Sequence, residues 1–223
     1  MLVYNSRQEK KNGGVPKYAK IRRGGHITRE QDTGRRDARR ERTRRKIVEA
    51  TVELHETLGM ARTTISAIAE KAGVQRLTVY RHFPDERALL SACSGHWGAA
   101  NPPPDPASWT QVADPEERLR GALAEVYAYH RRTEPMISNV VRDAQVHPLT
   151  REVSEPYFRH WERMRYVLAT GWGVGDEQLD LLLGILGHAL DFQTWRSLVR
   201  HQGLSDEQAV ETMVGMVRCL TRG

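Results

Sequence analysis

The apolar residues of this 223-residue chain recur three or four positions apart, with charged residues between them. The clearest run lies between Ile47 and Leu58 and predicts a helix from about Arg36 to Leu58. Gly59 can end this helix, because glycine readily adopts the left-handed conformation found after helix C-termini. The rest of the chain carries no strand signal, so the pattern predicts an all-α fold.

Three more helices are predicted directly after the first. Thr64 offers a hydroxyl group to cap a short second helix, which Gly73 ends. A short third helix is predicted from Gln75 to about Phe83. Pro84 then ends this helix and starts a fourth, which continues towards Trp97, since proline is tolerated in a first turn.

The second half of the chain reads as a loop followed by further helices. Residues 101–114 contain three consecutive prolines and few apolar residues, which predicts a loop or linker. Five more helices are predicted beyond it, separated mainly by glycines. Their predicted ranges are Pro115–Arg132, Glu134–Val146, Pro148–Thr170, Glu177–Gln202 and Ser205–Thr221.

The net charge of +6 is unevenly distributed along the chain. Residues 1–46 hold 16 Lys and Arg against 5 Asp and Glu, whereas residues 47–223 hold 18 against 23. Residues 1–34 also contain scattered glycines and show little periodicity, so we expect a disordered basic arm there. Such an arm suits a polyanionic partner, and a solvated tail that binds nothing specific is the alternative.

Several classes of protein are disfavoured by what the sequence lacks. No window approaches the roughly 20 apolar residues of a membrane span, and no secretory stretch is present, so we expect a cytoplasmic protein without membrane contact. Cys93 and Cys219 are expected to be buried and inert, without the neighbours of a metal site. The common phosphate-loop, dinucleotide, nucleophile-elbow and zinc-protease motifs are missing. We therefore expect no enzyme, no cofactor and no metal.

The short helices on either side of Gly73 meet the requirements of a helix-turn-helix. Ala69 supplies the small residue where the helices cross, and Gly73 supplies a turn residue that tolerates positive φ. Val79 and Phe83, four positions apart, would lock the later helix onto the earlier one. The residues left around its open side are Gln75, Arg76, Leu77, Thr78, Arg81 and His82.

Residues 43–92 resemble the signature of the TetR (tetracycline-repressor) family. The resemblance rests on the runs Thr64–Val74, Thr78–Pro84 and Ala88–Leu90. It implies a three-helix helix-turn-helix DNA-binding domain over 35–92 and an all-helical effector-binding and dimerisation domain over 93–223, after the arm 1–34. It also implies a homodimeric transcriptional regulator, most often a repressor, that releases a palindromic operator in double-stranded DNA when a small-molecule effector binds.

The family also implies a role for individual residues at the DNA surface. Arg76, Leu77 and Thr78 match positions that read bases or lie beside them. The other predicted positions lie around the open side, match phosphate contacts, or belong to the basic run before the motif. The full predicted set is Arg39, Arg40, Arg44, Arg45, Thr64, Ser66, Gln75, Arg76, Leu77, Thr78, Tyr80, Arg81 and His82.

Two positions depart from the family pattern. Leu77 stands where a small residue is usual, which makes the base-facing surface more apolar. Glu86 stands where a lysine usually holds a phosphate, and a carboxylate there repels the DNA backbone. Arg87 is the neighbouring residue with the charge to take over that contact.

A ligand site is expected among the middle helices, because aromatic bulk with a few polar groups is typical of small-molecule pockets. The predicted lining residues are Trp97, Tyr127, His130, Met136, Val140, Trp161, Met164, His188, Phe192 and Trp195. The alternative is that these aromatic and methionine side chains simply fill the core.

The last two long helices are predicted to form the dimer interface. Their apolar residues are Leu179, Leu182, Leu183, Leu186, Leu190, Met213, Met216, Val217 and Leu220. The same residues can instead pack the subunit's own core. Two other functions stay open at this point: a non-specific nucleic-acid-binding protein driven by the basic arm, and a transcriptional activator.

Overall fold

In a computed structural model of the protein, residues 29–221 are described, with side chains from residue 33 onward. All regular elements in this part of the chain are helical, which confirms the all-α prediction. The α-helices are α1 Arg29–Thr57, α2 Ile65–Lys71, α3 Arg76–His82, α4 Glu86–Ala100, α5 Pro106–Trp109, α6 Pro115–Asp143, α7 Pro148–Leu168, α8 Asp176–Leu190, α9 Phe192–Arg196 and α10 Asp206–Thr221. A 3₁₀ turn spans Met60–Arg62, and a π-helical turn spans Ser197–His201.

The chain divides into two compact units, residues 1–40 and residues 41–223. Helix α1 begins at Arg29 instead of about Arg36, so residues 29–34 of the predicted disordered arm are helical. Arginine and glutamine favour the helix, and Gly34 costs only about 1 kcal/mol. The rest of the predicted arm, residues 1–28, lies outside the described residues.

Helix α6 runs without a break through the gap predicted before Glu134. Pro135 removes one helical N–H donor, but it is exposed and the turns on both sides of it are anchored. Tyr129 and Ile137 are almost fully buried there. Tertiary packing therefore overrides the local signal for a break.

The predicted helix Glu177–Gln202 is divided in the structure between α8 and α9. Asp191 separates them with an extended backbone, and its Oδ1 accepts the N–H groups of Gln193 at 2.7 Å and Thr194 at 3.2 Å. An aspartate that caps the first N–H groups in this way starts a new helix.

The remaining predictions are met only in part. The predicted loop 101–114 contains α5, because Trp109 is buried and its Nε1 donates to Glu125 at 3.0 Å. Cys93 is buried as predicted, whereas Cys219 is exposed.

Among residues 29–221, no helix is long and apolar enough to cross a membrane. The same part of the chain shows no group of His, Cys, Asp and Glu arranged to hold a metal ion.

Two hydrophobic cores lie within residues 41–223. The first, which we call the head core, joins α1 to α4 through Ile47, Val48, Ile68, Ala69, Val79, Phe83 and Leu89. The second, the body core, lies among α6 to α10 and includes Leu119, Leu123, Tyr127, Met164, Leu182, Leu186, Trp195, Met213 and Val217. A third group connects α4 to α6 through Met60, Leu90, Met136 and Val140.

Three side chains of α6, Asn139, Arg142 and Asp143, hold the C-terminal end of α1, and we call them the polar clamp. Asn139 Nδ2 donates to the backbone carbonyls of His55 and Glu56, at 2.9 Å each. The last carbonyls of a helix have no partner within the helix, so they need one from elsewhere. The buried amide of Asn139 supplies it for Glu56, and it gives a second donor to the carbonyl of His55, which also accepts the N–H of Gly59 at 3.1 Å.

The other two residues of the clamp hold the chain just after α1. Arg142 Nη2 donates to the carbonyl of Leu58 at 3.0 Å, and Asp143 Oδ2 accepts the N–H of Ala61 at 3.0 Å. Gly59 passes between them with a φ of 90°, and a Cβ atom there would run into Arg142 and Asp143. Glycine is therefore required at this position for both conformation and space.

Two buried histidines are neutral at ordinary pH. His55 Nδ1 lies 3.4 Å from the Sγ of Cys93, and His130 Nε2 lies 3.0 Å from the carbonyl of Leu190. Burial lowers the pKa of each imidazole from 6.5 to about 4, because a buried site disfavours the charged form. At these two positions the unfolded chain therefore binds protons more readily than the folded protein between pH 6.5 and 4.

We expect the free energy of unfolding to fall as the pH is lowered from 7 to 5, by about 2 kcal/mol for each of these histidines. Urea denaturation at the two pH values measures the change. The His130→Phe variant should lose one histidine's share of the pH dependence. A pH dependence that His130→Phe leaves unchanged would show that this histidine is not the cause.

Candidate DNA-binding surface and ligand cavities

Helices α2 and α3 are joined by a tight turn at Gly73. This glycine has a φ of 65°, and the N–H of Val74 after it donates to the carbonyl of Ala69 at 2.9 Å. Thr64 Oγ1 caps the start of α2 by accepting the N–H of Ala67 at 3.2 Å. Ala69 is buried where the helices pack together. The local geometry is that of a helix-turn-helix.

Helix α3 turns one side to the head core and the other outward. Val79 is fully buried, whereas Leu77 and Tyr80 are 65% and 46% exposed. The exposed or half-buried residues predicted to contact DNA, which we call the open face, are Gln75, Arg76, Leu77, Thr78, Tyr80, Arg81 and His82. Thr64 and Ser66, at the start of α2, are exposed as well.

The predicted arm arginines differ in their surroundings. Arg44 is half-buried, with its guanidinium 5.0 Å from the centre of the Phe83 ring. This contact places its charge against the edge of the head core. Arg45 is exposed, and Arg39 and Arg40 are exposed within the unit 1–40.

Glu86 and Arg87 lie in the first turn of α4 and have different surroundings. Asp85 caps the helix by accepting the N–H of Ala88 at 2.7 Å, and Glu86 is exposed in the first turn. Arg87 forms an ion pair with Glu152 of α7. Arg87 is thus directed towards α7.

A cavity of about 690 Å³ lies between α4, α6 and α7, and we call it the α4 cavity. Three of the predicted ligand residues, Trp97, Met136 and Val140, line it. Its volume is that of a typical small-molecule site. Ser94 and Gly98 open onto it from α4.

Two residues that line the α4 cavity also hold the end of α1. Trp97 Nε1 donates to Glu56 Oε1 at 3.1 Å, and Cys93 Sγ lies 3.4 Å from His55 Nδ1. Burial and the nearby carboxylate of Glu56 raise the pKa of Cys93 to about 12, so it is a neutral thiol. Sequence patterns gave no reason to select His55 or Glu56, since their roles depend on contacts with a distant segment.

A smaller cavity of about 360 Å³ lies between α6, α7 and α8, and we call it the α8 cavity. Three further predicted ligand residues, His130, Trp161 and Phe192, line it. Arg165 and Tyr157, which the sequence did not single out, line it too. Among residues 29–221, Tyr157 alone lines both cavities.

The other four predicted ligand residues line neither cavity. Tyr127, Met164 and Trp195 are fully buried in the body core. The hydroxyl of Tyr127 donates to the carbonyl of Ala189 at 3.0 Å. His188 is exposed and pairs with Thr194 at 3.0 Å, which holds its ring at the surface.

The predicted interface helices serve the subunit's own core in part. Leu182, Leu186, Leu190, Met213 and Val217 are buried in the body core. Three apolar side chains of α8 and α10 stay exposed, namely Leu179 at 38%, Leu181 at 56% and Met216 at 42%.

A helix-turn-helix followed by further helices is an arrangement found in DNA-binding proteins. Residues 47–93 match the family model of bacterial regulatory proteins of the tetR family. The match covers the helix-turn-helix and the helices that flank it, so this segment is similar to the N-terminal domain of that family.

Solved structures share the fold over most of the chain. A TetR-like transcriptional regulator from Rhodococcus sp. RHA1 has a TM-score of 0.57 at 16% identity, over 81% of this chain and 96% of its own. A transcriptional regulator from Saccharomonospora viridis in complex with choline has a TM-score of 0.56 at 17% identity, over 80% and 96%. A TetR-family regulator from Syntrophomonas wolfei has a TM-score of 0.54 at 16% identity, over 82% and 96%. Among curated proteins, none matched significantly.

Proposed function

We propose that the protein is a dimeric repressor that leaves a palindromic operator when a small molecule occupies the α4 cavity. The observation that carries the proposal is the double role of Trp97 and Cys93. Both line the cavity, and they contact the end of α1 through Glu56 and His55. An occupant that displaces either side chain therefore acts on the helix that carries the head core.

On DNA, the open face of α3 would enter the major groove, where each base pair presents a distinct pattern. Arg76 has the forked guanidinium that pairs with guanine O6 and N7, and Leu77 has the apolar surface that meets a thymine methyl. Tyr80 and His82 would position the helix on phosphates. Exposure of these side chains supports the assignment.

Reading a palindrome requires a two-fold dimer, with reading helices about 34 Å apart. The exposed Leu179 and Leu181 of α8 and Met216 of α10 supply apolar surface for that pairing. Helices α8 and α10 pack on each other, so the same pair from a second copy would complete a four-helix interface.

Release of DNA follows if the small molecule binds more tightly to the arrangement of α1 to α4 that does not fit the operator. A ligand that binds both arrangements equally shifts nothing, however tightly it binds. Helix α4 is the element that moves in this scheme, because it lines the cavity and follows α3 directly. The choline bound to the Saccharomonospora viridis regulator supports small-molecule binding by proteins of this fold.

Selection of bound sequences from a random double-stranded DNA pool tests the operator. We expect a palindrome with half-sites about one helical turn apart, lost when Arg76→Ala is combined with Thr78→Ala. The matched control combines Arg159→Ala of α7 with Thr212→Ala of α10. Both residues are exposed, and the variant should return the same palindrome. Bound DNA without any shared motif would contradict the proposal and favour non-specific binding through the basic arm.

Sedimentation equilibrium tests the dimer. The Leu181→Asp substitution should raise the dimer dissociation constant by about 100-fold or more, because it buries an unpaired carboxylate in the interface. Val146→Asp, at a position 76% exposed outside α8 and α10, should leave the constant unchanged. Equal dissociation constants for the two variants would place the dimer contact elsewhere.

A cavity-filling substitution tests the coupling without knowledge of the effector. Gly98 lines the α4 cavity, and a Cβ added there meets nothing within 4 Å, so Gly98→Phe places a ring in the cavity. We expect operator affinity to fall by about tenfold, within the usual range of allosteric coupling. Gly121→Phe, at an exposed and equally open helical position, should bind like the original protein. A folded Gly98→Phe variant with unchanged affinity would rule out the coupling.

A further inference from the structure

The α4 cavity is elongated along two of its helices. Helix α4 lines it from Arg87 to Asn101, and α7 lines it from Glu152 to Arg163. Arg87 and Glu152 form an ion pair, so both helices leave one end of the cavity side by side. The eleven residue steps from Glu152 to Arg163 span about 16 Å at 1.5 Å each. The cavity therefore suits an extended molecule.

The wall of the α4 cavity that α6 supplies is apolar. Met136, Ile137 and Val140 line it, and each is almost fully buried. Trp97 of α4 packs against the same apolar group as Met136 and Val140. Each methylene group that a ligand buries against such a wall raises its affinity about fourfold. The interior of the cavity therefore favours a hydrocarbon chain.

Three charged side chains line the α4 cavity, namely Arg87, Glu152 and Arg163. Arg87 and Glu152 neutralise each other in their ion pair. Among the side chains described from residue 33 onward, no carboxylate forms an ion pair with Arg163. Burial lowers the pKa of His160, which also lines the cavity, so this imidazole adds no charge at pH 7. The cavity therefore carries one positive charge that the protein does not balance.

Two carboxylates lie near this end of the cavity and are engaged elsewhere. Glu162 pairs with Arg165 at 3.2 Å. The charge of Asp105 reaches His160, but its side chain caps α5 and does not line the cavity. Arg163 is thus left to pair with an anion from outside the chain.

The exposure of the lining residues sets the direction of the ligand. Arg163 is exposed, whereas Met136 and Val140 are buried. A guanidinium group presents two parallel N–H donors, which match the two oxygens of a carboxylate. The headgroup would therefore lie at the surface beside Arg163, with the hydrocarbon chain inside the cavity.

We propose that the ligand of the α4 cavity is an amphipathic monocarboxylic acid, held by Arg163 at its headgroup and by the α6 wall along its chain. As the effector that releases DNA, this acid rests on the proposed function. Its binding requires neither the operator nor the dimer, so binding and release are measured separately.

Isothermal titration calorimetry of the full chain compares decanoate, decan-1-ol and decyltrimethylammonium, which share one chain length and differ in headgroup. Decanoate should bind at least tenfold more tightly than either of the others, because only the carboxylate pairs with Arg163. Hexanoate, with four fewer methylene groups, should bind at least tenfold more weakly than decanoate.

Substitution of Arg163 tests the headgroup contact, and because this residue is exposed the variants should fold, which circular dichroism checks. Arg163→Gln should lower the affinity for decanoate to that for decan-1-ol and leave the affinity for the alcohol within about twofold. Arg163→Lys keeps the charge without the fork and should retain part of the preference for decanoate. The matched control is Arg159→Gln, at an exposed position of α7 that does not line the α4 cavity, and it should bind like the original protein.

Four results would overturn the proposal. They are equal affinities for the three ten-carbon ligands, tighter binding of the alcohol or the ammonium, decanoate binding that Arg163→Gln leaves unchanged, and absence of decanoate binding at millimolar concentration.

Affinity for the selected operator separates the ligand class from the switch. Decanoate binding that depends on Arg163 but leaves operator affinity unchanged would support the ligand class and contradict the proposed release of DNA. Absence of decanoate binding, together with weak operator binding by Gly98→Phe, would overturn the ligand class and support the proposed coupling.

Discussion

The attachment of α1 to α6 is the constraint on which the rest of the structure depends. Asn139 donates to two carbonyls at the end of α1 with one buried amide, and Asp143 receives the N–H of Ala61 just beyond it. Because the head core is built on α1, the polar clamp ties the helix-turn-helix to the body by hydrogen bonds of fixed direction.

The attachment of α1 to α6 also bears on the proposed role of the α4 cavity. Helix α4 contacts the same end of α1, through Trp97 to Glu56 and Cys93 to His55. The end of α1 is therefore held from two sides, by α6 through the clamp and by α4 through residues that border a cavity. Under the proposed coupling, a change on the α4 side would move the head core relative to a fixed point on α6, which is the arrangement a ligand-operated switch requires.

The parts of the molecule that could be predicted are those with local signals. Gly73 and Thr64 act within their own turn and cap, so the helix-turn-helix could be placed from sequence. The continuous helix through Pro135 depends on packing between distant segments. For the same reason, the sequence could not separate cavity residues such as Trp97 from packing residues such as Trp195, because both are aromatic residues of amphipathic helices.

The most direct test of the proposed coupling is the distance between the two α3 helices of the proposed dimer. A spin label at Glu70→Cys, an exposed position of α2 outside the open face, in a background with Cys219→Ser, reports this distance by pulsed electron paramagnetic resonance. We expect a distribution on operator DNA that fits half-sites about one turn apart, and in the free protein a distribution that Gly98→Phe shifts. Identical distributions in the free protein with and without Gly98→Phe would contradict the coupling between cavity and head.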